Sequence, residues 1–162
     1  MNKFLSTNKA ANTDVLLLVL RTGAAILMLT HGVPKMLMFL GGEPIRFASV
    51  LGLSQESTLG LAVFSEVFCS LLVLSGTRTR LAVLPLIITM LVAVFIIHGS
   101  DSFAKKEPAL TYLLLFITLL IGGSGRYSVD YLLLNKTRKR ADSGTIGTPA
   151  TGNEHSNRTL QL

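Results

Sequence analysis

Four long apolar stretches divide the chain, and the polar residues lie mainly between them. The stretches cover about residues 15–40, 58–75, 81–98 and 108–123. Apolar side chains occupy every face of each stretch, which is typical of helices in apolar surroundings. Because about 20 helical residues cross a hydrocarbon core of roughly 30 Å, the pattern predicts an all-α integral membrane protein, a bundle of four transmembrane helices.

The links between these stretches are short, with one exception. Gly41 and Gly42 begin a break, and residues 45–53 then alternate apolar and polar positions at roughly helical spacing. We interpret this segment as a short interfacial helix between helices 1 and 2. The last stretch is the shortest, and we expect its helix to begin at Pro108, since proline is favoured in a first helical turn.

The pattern separates the chain into three parts. Residues 1–14 form a polar N-terminal segment, residues 15–135 a membrane domain, and residues 136–162 a polar tail with a basic start. The tail is rich in Ser, Gly and Thr, which predicts disorder. The first apolar run continues without a small-residue cleavage site, so we expect a retained membrane helix rather than a signal peptide.

Composition and charge agree with a membrane protein. Of 162 residues, 49% are hydrophobic and only 15% are charged, whereas about a quarter are charged in a typical soluble domain. The net charge is +6, but the basic residues flank apolar runs and do not alternate with aromatic residues. This arrangement argues against a nucleic-acid partner.

Lysine and arginine are divided unequally between the two sides of the predicted membrane. The side that holds both termini carries eleven: Lys3, Lys9, Arg21, Arg78, Arg80, Arg126, Lys136, Arg138, Lys139, Arg140 and Arg158. The other side carries four: Lys35, Arg46, Lys105 and Lys106. The imbalance predicts that both termini are cytoplasmic.

Ionisable side chains inside membrane helices are costly, so they mark function or pairing. The rise and direction of the helices place six polar residues in the half of the bundle away from the termini: His31, Lys35, Glu66, His98, Glu107 and Tyr112. Helical phase puts His31 and Lys35 on the face of Arg21 and Met28. An ion pair between Lys35 and Glu66 would make their burial tolerable.

This outer cluster has two interpretations. In the first, Glu66, His31 and His98 transfer protons or bind a ligand by hydrogen bonds, while Lys35, Glu107 and Tyr112 bind substrate. In the second, all six are structural pairs and side chains that extend to the interface.

Two other kinds of chemistry receive little support. The chain contains neither H-x-x-x-H nor H-E-x-x-H, so we predict no metal site. Its single cysteine, Cys69, cannot form an internal disulfide, which argues against a dithiol oxidoreductase that uses its own cysteines.

At the basic end, polar residues are expected to form structural pairs: Arg21, Arg80, Arg126 and Asp130. Arg126 and Asp130 could pair with each other, or with Arg78 and Arg80.

Several spaced motifs occur in a fixed order along the chain: His31-Gly32-x-x-Lys35, Glu66, Leu74-x-Gly76-x-x-x-Arg80, Ala93-x(4)-His98, Glu107, Tyr112 and Gly125-Arg126-Tyr127-Ser128-x-Asp130. With this order and spacing, residues 15–134 resemble the DoxX family of bacterial four-helix membrane proteins. Ser124 is a departure, because many members carry proline before the Gly-Arg-Tyr motif.

The resemblance implies a redox-linked component of the bacterial inner membrane. Some relatives are subunits of thiosulfate:quinone oxidoreductases, and others belong to complexes that handle thiol or oxidative stress. A catalytic role would then be that of a quinone-linked oxidoreductase subunit. No cofactor-binding motif is evident in the sequence, and the resemblance suggests a quinone as a candidate cofactor.

Two alternatives stay open. One is a non-catalytic scaffold that stabilises a partner membrane or soluble redox protein. The other is a small transporter, which four short helices without broken repeats disfavour for a monomer but not for a dimer. The expected partners are the lipid bilayer, a redox protein and a second copy of the chain.

Overall fold

The computed structural model describes residues 9–42, 45–133 and 135, with side chains from residue 12 onward. This part of the chain is all-helical, as predicted, and contains no strand. It has four long helices: α1 (Lys9–Leu40), α2 (Gln55–Ser75), α3 (Thr79–Ile97) and α4 (Phe103–Gly122). The predicted tail, residues 136–162, and the first eight residues of the N-terminal segment lie outside the described residues.

Two of these helices contain a π-helical segment. Phe64–Cys69 forms one within α2, and Ala93–Ile97 forms the other at the end of α3. The backbone N–H of His98 donates to the carbonyl oxygen of Ala93 at 2.9 Å, the i to i+5 bond of a π turn. Because a π turn holds more residues than an α turn, it changes which face the following side chains occupy.

The helices begin earlier than the apolar pattern indicates. Ser54 caps α2, since its Oγ accepts the backbone N–H of Ser57 at 3.2 Å. In α4, the helix already starts at Phe103, behind the extended residue Ser102, so that Pro108 lies inside the helix. Hydropathy reveals only the apolar part of a helix, and the first turns of α4 are polar.

The expected interfacial helix is not confirmed. Residues 45–50 are non-helical, and Leu51 and Gly52 then form a turn with φ values of 54° and 76°. These left-handed values interrupt any right-handed helix. The backbone N–H of Leu53 donates to the carbonyl of Val50 at 3.0 Å, and the segment folds back so that Val50 is buried.

The core lies between the four helices. Its buried apolar side chains are Ala24, Ala25, Met28, Cys69, Val73, Ala82, Val83, Leu86, Met90, Val94, Ala109, Phe116 and Leu119. The contribution of α1 is mostly alanine, and small residues let neighbouring membrane helices approach closely. As expected for the inward face of α2, Glu66, Cys69 and Ser70 are all buried.

Three of the helices are long and apolar enough to cross a membrane. The candidate spans are Asn12–Leu40, Gln55–Ser75 and Thr79–Ile97. Large apolar side chains are exposed on their outer faces, as a lipid environment requires. Charged residues Lys105, Lys106 and Glu107 in its first turns keep α4 out of this set.

Candidate ligand site around Glu66

A cavity of about 390 Å³ opens between the end of α1, residues 45–54, α2 and α3. Its wall is mainly apolar, and residues 45–54 contribute Phe47, Ala48, Val50, Leu51 and Leu53. The polar members are Lys35, Thr58, Glu66, Thr89 and His98. A concave apolar site with a few convergent polar groups is the usual form of a small-molecule pocket.

An ion pair between α1 and α2 lies in this cavity. Lys35 Nζ is 2.5 Å from Glu66 Oε1, and the two side chains are 29% and 3% exposed. The predicted pair is therefore present, and it joins a nearly inaccessible carboxylate to an ammonium group that still reaches solvent. The ammonium group also lies 5.9 Å from the ring centroid of Phe47, within cation–π range.

The two carboxylate oxygens of Glu66 differ in their contacts, because only Oε1 is paired with Lys35. Oε2 is buried, and it has no hydrogen-bond partner among the described residues. Buried polar atoms are nearly always hydrogen-bonded, so an exception needs an explanation. A ligand in the cavity would supply the missing partner.

Gly32 determines how closely α1 approaches Glu66. A Cβ atom added at Gly32 would lie 2.9 Å from Val67 Cγ2 and 3.0 Å from both the carbonyl carbon and the Cβ of Glu66. Glycine therefore allows the two helices to touch at this level. Lys35 follows about one helical turn later and can reach the carboxylate.

His98 lies at the rim of the cavity, at the end of the π-helical segment of α3. Its Nδ1 is 2.8 Å from Asp101 Oδ2, while Lys105 Nζ is 3.4 Å from Asp101 Oδ1. The hydrogen bond with His98, assisted by the charge of Lys105, lowers the pKa of the Asp101 carboxyl group. Asp101 thus binds one of the two ring nitrogens of His98, Nδ1.

The remaining three residues of the predicted cluster do not line this cavity. His31 is exposed and packs edge-on against the ring of Tyr112, with centroids 5.7 Å apart. Tyr112 is half-buried and lies within electrostatic range of Glu66. Glu107 is exposed on α4.

His31 lies outside the cavity, although it is one helical turn from Lys35 on the same face of the continuous helix α1. Gly32 occupies the inward position at this level. Gly32 lies inward because α2 packs directly against it, and His31 packs against Tyr112 instead.

Thr89 and Phe47 are among the members of the site that sequence reasoning did not identify. Thr89 Oγ1 lies 2.9 Å from both Ser65 Oγ and the carbonyl oxygen of Pro85. The sequence signal for Thr89 was its hydroxyl group, which stands alone in the apolar stretch of residues 81–97. Phe47 carried no local signal, because its position depends on how residues 45–54 fold back.

Two arginines at the other end of the bundle, Arg21 and Arg80, bind backbone carbonyl groups. Arg21 is buried and donates to the carbonyls of Ser124 and Tyr127, and Arg80 donates to that of Ile121 at 3.2 Å.

Arg126 pairs with Asp14, with 3.5 Å between Nε and Oδ2. The expected ion pairs of Asp130 with Arg126, Arg78 or Arg80 do not form within the described part of the chain. Asp14 is distant in sequence, so local spacing gave no sign of it as the partner.

Comparison with protein families supports the assignment made from the motifs. The model of the DoxX family matches residues 16–99, just over half of the chain. This range contains most of α1, all of α2 and α3, and the residues Lys35, Glu66 and His98. Neither the comparison with curated proteins nor that with solved structures gave a significant match. Because the family model matches more than half of the chain and three of its helices are membrane-compatible, the chain belongs to the DoxX family of membrane proteins.

Proposed function

We propose that this protein is a redox-linked membrane component that binds a quinone or a small sulfur compound in the Glu66 cavity. The observation that carries the proposal is the buried Glu66 carboxylate, which is paired through Oε1 and unpartnered at Oε2. A group arranged in this way can hold or release a proton towards a bound molecule.

The residues of the cavity suit a quinone. Its apolar wall matches a flat ring, and a ring carbonyl needs a hydrogen-bond donor, which Lys35 or His98 can supply. The ammonium group of Lys35 would equally hold a small sulfur anion.

Reduction of a quinone to a quinol takes up two electrons and two protons. Two thiosulfate ions can supply the electrons as they join to form tetrathionate. Within this chain, Glu66 is assigned proton transfer at Oε2, and His98 exchange of that proton with solvent. Lys35 orients the carboxylate. His31, Tyr112 and Glu107 lie outside the cavity. We therefore assign them no direct contact with the ligand.

Glu66→Gln tests this assignment. Membranes that contain this variant should lose thiosulfate-dependent reduction of a short-chain ubiquinone analogue by about a hundredfold or more, the range for loss of a proton-transfer group. Glu107→Gln is the matched control, since it removes an exposed carboxylate outside the cavity. Equal activity in Glu66→Gln and wild-type membranes, at equal protein levels, would exclude the proton-transfer role.

A non-catalytic scaffold is the second candidate function. The Lys35–Glu66 pair favours it, because a link between α1 and α2 stabilises the bundle even without a ligand. Affinity capture from mild detergent separates the two functions. A stoichiometric redox protein, or a second copy of the chain, together with no turnover by the purified chain would favour the scaffold.

We further propose that α4 is a fourth crossing and that both termini face the cytoplasm of a bacterial cell. The 20 residues of α4 correspond to about 30 Å of helix. Lys105, Lys106 and Glu107 lie at one end, where long side chains can extend to the membrane surface.

A further inference from the structure

A second pocket, of about 440 Å³, lies at the end of the bundle where α2 turns into α3. Its lining combines Arg78, Thr79 and Arg80 with the glycine-rich residues 122–125 and Asp130. We call it the basic pocket. It shares no lining residue with the Glu66 cavity, and none of the chemistry proposed above uses it.

The basic pocket contains the first turn of α3. Arg78 has φ 45° and ψ 43° and precedes the helix without a side-chain cap. The N–H groups of Leu81 and Ala82 donate to the carbonyl oxygen of Arg78 at 2.9 and 3.0 Å. Those of Thr79 and Arg80 are left at the positive end of the helix, which favours an anion.

Thr79 adds an independent sign of a missing ligand. It is 1% exposed, and its Oγ1 has no hydrogen-bond partner among the described residues. A buried hydroxyl is normally hydrogen-bonded, so an oxyanion in the pocket would satisfy it.

The charges around the pocket favour an anion as well. Arg78 and Arg80 are exposed, and no described carboxylate lies within ion-pair distance of either one. Asp130 opposes an anion, but it lies in electrostatic range of Arg21, which partly offsets its charge. The lining thus keeps a positive balance.

The opposite wall is formed by backbone. Gly123 has φ 75°, and a Cβ atom there would lie 3.3 Å from Arg80 Nε. Glycine therefore leaves room beside the guanidinium group, whose Nη2 also donates to the carbonyl of Ile121 at 3.2 Å.

We propose that the basic pocket binds a phosphate group through Arg78, Arg80, the hydroxyl of Thr79 and the first turn of α3. Two sources share this chemistry: the headgroup of an anionic phospholipid, and free inorganic phosphate.

The test is a titration of the full-length protein in a neutral detergent. The probes are dihexanoyl phosphatidylglycerol, dihexanoyl phosphatidylcholine and sodium phosphate at matched ionic strength, and the readouts are the shift in Tm and the apparent Kd. We expect phosphatidylglycerol or phosphate to raise Tm saturably. Arg78→Gln and Thr79→Val should each weaken the Kd about tenfold, as expected for the loss of a charge-assisted hydrogen bond.

Two controls separate binding from folding. Thr79→Val removes an unsatisfied buried hydroxyl, so without anion it should unfold no earlier than the wild type. Arg126→Gln removes the same charge as Arg78→Gln at the same end of the bundle but outside the pocket, and should leave the Kd unchanged.

The outcomes assign the source of the phosphate. A response to phosphatidylglycerol alone identifies a lipid headgroup, and an equal response to inorganic phosphate identifies the free ion. An unchanged Kd in either Arg78→Gln or Thr79→Val would overturn the proposal. So would an equal loss in Arg126→Gln, or a Tm that no phosphate compound raises.

Discussion

At the scale of single residues, the two members of the Lys35–Glu66 pair experience different surroundings. The Glu66 side chain is almost inaccessible, whereas that of Lys35 is 29% exposed. Removing one partner of a buried pair is costly because the other charge stays desolvated. The cost should therefore depend on which charge remains.

We predict that Lys35→Met lowers the free energy of unfolding by about 3 kcal/mol, the lower end of the range for breaking a buried pair. Glu66→Gln should cost less, because the remaining ammonium group can reach water. Thermal unfolding in detergent would measure both variants. Lys105→Met is the control, since the Lys105–Asp101 pair is exposed and surface ion pairs contribute little to stability. Equal losses in Lys35→Met and Lys105→Met would show that the pair does not stabilise the bundle.

At the scale of helices, the contact between α1 and α2 positions the site. Gly32 faces the backbone of Glu66, inside the π-helical segment Phe64–Cys69. A π-helical turn is often found at functional sites. The close approach of the two helices brings the carboxylate of Glu66 to the ammonium group of Lys35.

We predict that Gly32→Ala destabilises the protein by about 1–3 kcal/mol, the usual cost of overpacking. Its methyl group would meet Val67 and Glu66 at 2.9–3.0 Å. Gly23→Ala in the same helix has no neighbouring atom within 4 Å, so it should gain up to about 1 kcal/mol from helix propensity. The two Tm values should therefore move in opposite directions. A Gly32→Ala protein as stable as Gly23→Ala would contradict the close contact.

At the scale of the whole molecule, the number of crossings decides on which side each end lies. α1, α2 and α3 are membrane-compatible by length and composition, and the polar start of α4 separates it from them. If α4 also crosses, the segment after it returns to the side of the α2–α3 turn. The distribution of Lys and Arg predicts that this side is cytoplasmic.

Cysteine labelling in intact bacterial spheroplasts tests this topology. In a Cys69→Ala background, Ser102→Cys should react with a membrane-impermeant maleimide, whereas Thr77→Cys should react only after permeabilisation. Asn135→Cys reports on α4. We expect it to behave like Thr77→Cys, and labelling in intact spheroplasts would show that α4 does not cross the membrane.

The sequence alone determined the helical class, the three membrane-compatible stretches, the family and the Lys35–Glu66 pair. Hydropathy and helical spacing are local properties, and a buried charge requires a partner of opposite sign at the same depth. Tertiary structure decided the rest: the folded-back residues 45–54, the outward position of His31 and the pairing of Arg126 with Asp14. These features depend on helices and loops that are distant in the chain but meet in space.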